Sequence, residues 1–75
     1  MNKLDVEIIR ISSEDVSKIL SGKMIKLNNA LPVNLVGHEI KAFTKDGGLC
    51  IRCVVMAIID THVLLKTFTQ RYKNL

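Results

Sequence analysis

Apolar and polar residues alternate along several stretches of this 75-residue chain, and the alternation predicts strands. In the first stretch, from Lys3 to Ile11, apolar residues occupy every second position up to Ile8. The dominant stretch covers 49–59, where the odd positions are apolar and the even ones become apolar from Val54 onward. Apolar residues on both faces at one end are typical of a strand in a closed barrel. Further strands are predicted over 24–27, 38–45 and 62–69.

One short helix is predicted between the first two strands. The run Ser12-Ser13-Glu14-Asp15 offers an N-cap serine and an acid three residues later, which is the capping-box arrangement. Val16, Ile19 and Leu20 follow at helical spacing. Gly22 stands where a glycine ends a helix. A helix of barely two turns is unstable alone, so it must pack on the strands.

Turn residues divide the remaining chain. Pro32 marks a loop over 28–35, Asp46-Gly47-Gly48 predicts a hairpin, and Asp60-Thr61 separates the last two strands. The resulting order, β-α-β-loop-β-β-β, predicts an α+β fold that is mostly β, in which a small barrel removes exposed sheet edges. We expect one domain over 1–69 and a frayed basic tail over 70–75.

Composition limits what such a domain can do. At 48% hydrophobic and 24% charged residues, the chain is globular rather than disordered. A chain this short buries only about 60% of its unfolded surface, so homodimerisation would supplement its core. Aromatic residues are few (Phe43, Phe68 and Tyr72), which makes a platform for base stacking difficult to build.

Positive charge is concentrated in two zones of this chain, whose net charge is +4. Residues 16–35 and the last ten residues carry lysine and arginine without an acid, and Arg52 is the one charge inside the long apolar strand. If the zones meet in the fold, they form a face that attracts phosphate. The alternative is an ordinary solvated surface. The candidate polyanion-binding residues are Lys18, Lys23, Lys26, Arg52, Lys66, Arg71 and Lys73.

The sequence contains no pattern that is typical of a targeting signal or of a membrane-spanning segment. Charges occupy the N-terminal positions where a signal peptide would be apolar. The longest apolar run, 53–59, is too short to span a bilayer. We therefore expect a cytoplasmic protein with reduced cysteines and no membrane partner.

Two motifs suggest chemistry but lack the context for it. Cys50 and Cys53 match C-x-x-C, yet on a strand they face opposite sides, and the other ligand candidates, His38 and His62, are isolated. Gly22-Lys23 lacks the other residues of a phosphate-binding P-loop. We expect no metal, no cofactor and no catalytic residue.

The order of these features resembles the ASCH domain of the PUA-like superfamily over residues 14–72. The resemblance is carried by DVSKILSGK (15–23) before a strand, and by VGHEIKAFTKDGGLCIRCVVMAIIDTH (36–62), with its glycine turn, hairpin and long apolar strand. The resemblance implies a PUA-like pseudo-barrel and a link to RNA.

Some ASCH proteins are amidohydrolases that act on acetylated cytidine nucleosides, and the resemblance allows this activity to be checked by position. The family's lysine and threonine after the glycine fall on Met24 and Ile25. Its strand glutamate falls on Cys53 and its arginine on Asn29. Lys23 stands one residue early, so the chain does not match the catalytic pattern.

Three functions follow as hypotheses. The first is a non-catalytic module that binds RNA or another polyanion through a basic rim. The second is a small protein-interaction module, such as an inhibitor or accessory factor of phage origin, that docks on a host protein. The third and most remote is an amidohydrolase of acetylated cytidine.

Overall fold

The computed structural model describes residues 7–46 and 48–68. It contains the predicted order of elements, with an added single 3₁₀ turn in the loop. The start of the first strand, Gly47 of the hairpin, Thr69 and the tail 70–75 lie outside the described residues. The elements are β1 (Glu7–Ile11), α1 (Ser13–Leu20), β2 (Ile25–Lys26), the 3₁₀ turn (Val33–Leu35), β3 (Glu39–Thr44), β4 (Cys50–Ile59) and β5 (His62–Thr67).

The strands form one sheet in the order β1-β3-β4-β5-β2. The β1–β3 pair is parallel and the other pairs are antiparallel. The sheet curls into a half-barrel, so the mostly β, α+β prediction is confirmed. Within the described residues β1 and β2 are its edges, and the predicted closure into a full barrel is therefore not observed.

A β-bulge interrupts the alternation of β4. Val55 lies opposite Leu65 and Ala57 opposite Leu64, so Met56 is an extra residue in β4. Beyond the bulge the side chains change faces, because one inserted residue reverses the alternation. Ile58 packs against the core, whereas Ile59 is 60% exposed. The bulge thus decides which of the two isoleucines faces the core.

The helix begins and ends as its local sequence predicts. The backbone N–H of Asp15 donates to Oγ of Ser12 at 3.2 Å, and the backbone N–H of Ser12 donates to Oδ2 of Asp15 at 3.1 Å. This capping box satisfies two donors at the start of α1. Gly22, with a φ of +76°, adopts the left-handed conformation after the helix end.

The core lies on one side of the sheet, which we call the inner face. Ile40, Ala42, Cys53, Val55 and Val63 are fully buried there. The helix packs on the same side, and its Ile19 belongs to this core. Within the described residues no helix is long and apolar enough to cross a membrane.

Candidate nucleic-acid interface

Four cations from four neighbouring strands share the side of the sheet that is opposite the core. Each follows or precedes a buried residue in a strand, so alternation directs its side chain away from the inner face. We call this side the outer face and define it by its cations, Arg10 (β1), Lys41 (β3), Arg52 (β4) and Lys66 (β5).

Strand register makes these cations neighbours. Lys41 lies directly opposite Arg52 in the β3–β4 ladder. Lys66 lies on β5 opposite Val54 of β4, which places it diagonally from Arg52. Among the outer-face positions of the described strands, Glu39 supplies the single carboxylate. The face is therefore strongly positive.

Arg52 is held in place by two groups. Its Nε donates to Oε2 of Glu39 at 2.6 Å, and its Nη2 donates to Oε1 of Glu39 at 3.2 Å. Its guanidinium carbon also lies 4.9 Å from the ring centre of Phe68. The side chain is nevertheless 62% exposed, so Arg52 occupies the surface, as expected, and presents a fixed guanidinium to solvent.

The same pair shifts the ionisation of both partners. The hydrogen bond from Arg52 lowers the pKa of Glu39 below its ordinary value. That hydrogen bond, together with the charge of Glu39, raises the pKa of Arg52. Both groups are therefore charged at neutral pH, and Glu39 offsets one of the four positive charges.

A second arginine–aromatic pair lies on the same face. The guanidinium carbon of Arg10 is 5.9 Å from the ring centre of Phe43, a distance at which a cation interacts with an aromatic ring. Neither Arg10 nor Lys41 was among the residues predicted from charge. Both could have been identified because they alternate along β1 and β3 with the apolar residues Ile9, Ile40 and Ala42, which are buried.

The basic residues predicted from the sequence do not form one face. Lys18 and Lys23 are exposed at the C-terminal end of α1, where the backbone N–H of Lys23 donates to the carbonyl of Lys18 at 2.9 Å. Lys26 lies opposite His62 on the edge strand β2 and follows the buried Ile25, so alternation places it on the same side of the sheet as the outer-face cations. Arg52 and Lys66 belong to the outer face. Arg71 and Lys73 lie outside the described residues.

A cavity of about 460 Å³ lies between the helix end and strands β4 and β5. Ile19, Leu20 and Gly22 line it from the helix side, and Lys66 and Met56 line it from the sheet. Leu20 is 68% exposed and Met56 48% exposed. Lys66 thus connects the cationic outer face with an apolar cavity.

The cysteines and histidines do not converge on a reaction centre. Cys50 is exposed and Cys53 is buried, which confirms that they face opposite sides. Burial, and secondarily the neighbouring Cys50, raises the pKa of Cys53 to about 11. His38 and His62 are both exposed. Within 7–46 and 48–68, no three His, Cys, Asp or Glu side chains are grouped as metal ligands would be.

The positions that correspond to the amidohydrolase residues carry other side chains in this fold. Ile25 and Cys53 are core residues, with 1% and 0% exposure. Met24 is half-buried and Asn29 is exposed.

No protein-family model, no curated protein and no solved structure matches this chain. We therefore infer function from the geometry of its own residues.

Proposed function

We propose that this protein is a non-catalytic module that binds RNA or another polyanion through its outer face. The observation that carries the proposal is the direct cross-strand pairing of Lys41 with Arg52, flanked by Arg10 and Lys66. Like charges opposite each other destabilise a sheet. A row of phosphates would turn this unfavourable arrangement into a binding surface.

The mode of binding follows from the chemistry of the face. Cations that neutralise phosphates release counterions, so affinity falls as salt rises. Each cation that contacts a phosphate of a single strand contributes about −0.7 to the slope of log affinity against log salt concentration. Lysine and arginine contacts to phosphate carry no sequence information, so they give affinity without base discrimination.

An ASCH-like, PUA-like assignment belongs to the same proposal. It is supported by the capped helix that ends at Gly22, by the strand order along the chain and by the half-barrel. The sequence predicts a basic rim as the polyanion-binding surface. In the structure we propose the outer face for this role. Lys26 on the edge strand β2 provides a secondary contact, whereas Lys18 and Lys23 lie at the end of the helix on the core side of the sheet.

Salt-dependent binding to labelled RNA tests the proposal. We expect the affinity to fall steeply between about 50 and 200 mM salt. The double variant Lys41→Gln, Lys66→Gln should weaken binding and flatten the salt dependence. The matched double variant Lys18→Gln, Lys23→Gln removes the same charge from the helix end and should have a smaller effect. Equal losses in both variants, or no binding at low salt, would contradict the proposal.

A second candidate function is protein interaction, and the cavity beside α1 is the observation that favours it. Leu20 and Met56 leave apolar surface exposed around this cavity, and such surface is commonly used for docking. A host protein or a second copy of this chain would cover it. Sedimentation of the wild type and of Leu20→Gln tests self-association, which should be insensitive to salt and lost in the variant.

A further inference from the structure

We propose that the outer face takes single-stranded RNA in preference to duplex, with bases stacked on its two arginine–aromatic pairs. This inference rests on the proposed function and specifies which form of RNA the outer face binds. The scarcity of aromatic residues led us to expect no stacking platform. However, two of the three aromatics, Phe43 and Phe68, are each paired with an arginine of this face.

Arg52 is suited to stacking. Glu39 accepts from its Nε–H and from one N–H of Nη2, so one of the two edges by which a guanidinium binds phosphate is already engaged. The carboxylate thereby holds the flat surface of an exposed guanidinium in position. Guanidinium planes and aromatic rings are the groups on which unpaired bases stack in RNA complexes.

Lys41 and Lys66 are suited to the complementary role of binding phosphate. Lys41 is the cross-strand neighbour of Arg52, and Lys66 lies diagonally from it on β5. No ion pair to either lysine is found within the described residues. The face therefore combines planar groups for bases with ammonium groups that form no ion pair within the described residues and can bind the backbone.

The spacing of the two pairs fits an unpaired strand. Phe43 lies opposite Cys50, and Arg52 is two residues farther along β4. One strand spacing across and two residues along place the two platforms about 8 Å apart. Bases in a duplex are stacked about 3.4 Å apart and do not expose their faces. Separate bases of a single strand can occupy the two platforms.

The shape of the sheet acts against duplex binding. The half-barrel curls around the inner core, so the outer face is convex. The distance from β1 to β5 across this face is only about 14 Å. Duplex RNA is recognised through contacts across successive grooves. A narrow convex face reaches few of these contacts, whereas a flexible strand can follow its curvature.

Fluorescence anisotropy with four probes tests the inference on the intact chain. The probes are an unstructured RNA of about 12 nucleotides, its duplex, an abasic strand of the same length and heparin. We expect the single-stranded RNA to bind at least about tenfold more tightly than the duplex or the abasic strand. Equal binding to all four would overturn the inference but leave polyanion binding standing. Binding to none would overturn both.

Charge-preserving variants separate stacking from electrostatics. Arg52→Lys keeps the charge but removes the guanidinium plane, and Phe43→Leu keeps an apolar side chain but removes the ring. Each should weaken single-stranded RNA binding about tenfold without changing the salt slope or the heparin affinity. The control Lys45→Arg keeps the charge of an exposed lysine that is not among the four outer-face cations, and it should bind within about twofold of the wild type. Wild-type RNA affinity in both test variants, with folding verified by circular dichroism, would overturn the inference.

Discussion

Lys41 on β3 and Arg52 on β4 lie directly opposite each other, with both side chains on the outer face of the sheet. Glu39, two residues before Lys41 on the same strand, binds Arg52 through two hydrogen bonds. One carboxylate thus offsets part of the repulsion between two neighbouring cations. The charge of Lys41 helps to lower the pKa of Glu39, but Lys41 forms no ion pair within the described residues, which is why we assign it to a ligand.

This relationship predicts opposite effects of one substitution on stability and on binding. Lys41→Gln should raise the free energy of unfolding by about 0.2–1 kcal/mol, because it removes a like-charge cross-strand pair. The same change should weaken RNA binding. Urea denaturation and anisotropy measure the two quantities, with Lys18→Gln on α1 as the matched control. A loss of stability in Lys41→Gln would show that its charge supports the fold.

Acid should weaken the link between Glu39 and Arg52. The pKa of Glu39 is lower in the folded protein than its ordinary value of 4.5, so the pair stabilises the fold above that pH. The contribution is lost as the pH falls through the lowered pKa. Thermal melting as a function of pH should therefore show a smaller decline below about pH 4.5 in Glu39→Gln than in the wild type.

Asp46 is a second carboxylate whose pKa is lowered in the folded protein, so its substitution provides a further test of the acid dependence. The hydroxyl of Ser13 donates to Oδ2 of Asp46 at 2.7 Å, and this bond lowers the pKa of Asp46. Asp46→Asn should also reduce the acid-dependent loss of stability. Glu7→Gln serves as the control for removal of a surface carboxylate. Identical pH profiles for the wild type and Glu39→Gln would contradict a stabilising role for the Arg52 pair.

The two cysteines should differ sharply in reactivity. Cys50 is exposed, whereas Cys53 is buried and its pKa is raised to about 11, so little thiolate forms at Cys53 near neutral pH. A thiol reagent should label one cysteine per folded chain and two after unfolding. In Cys50→Ser, rapid labelling of the folded protein should disappear. Equal rates for both thiols would mean that β4 is not oriented as described.

The bulge at Met56 predicts which of two neighbouring isoleucines stabilises the fold. Ile58 packs against the core, and Ile59 is mostly exposed. Ile58→Ala should lower the free energy of unfolding by about 1–2 kcal/mol, less than for a fully buried isoleucine. Ile59→Ala should change it by less than about 0.5 kcal/mol. If Ile59→Ala lowered the free energy of unfolding more than Ile58→Ala in urea denaturation, β4 would have to run without the bulge.

Features set by local chemistry could be predicted from the sequence. Ser12 and Asp15 carry the capping box within four residues, and Gly22 ends the helix by its own conformation. The opposite placement of Cys50 and Cys53 followed from strand alternation alone. These predictions needed no knowledge of which strands pair.

Features set by strand pairing could not be predicted in the same way. Arg10 meets Phe43 only because β1 pairs in parallel with β3, more than 30 positions away in the chain. The bulge in β4 depends on how β4 pairs with β5 and has no local turn residue to mark it. The distribution of charge along the chain therefore indicated Lys26, Arg52 and Lys66 on the outer side of the sheet but not Arg10 and Lys41.

The most direct test of the outer face as the binding surface is an NMR titration of the ¹⁵N-labelled protein with an unstructured RNA at constant low salt. We expect the backbone amide signals of Arg10, Lys41, Arg52 and Lys66 to shift together, with smaller changes at Lys18 and Lys23. Shifts confined to Ile19, Leu20 and Gly22 beside the cavity, or no shifts at all, would contradict it.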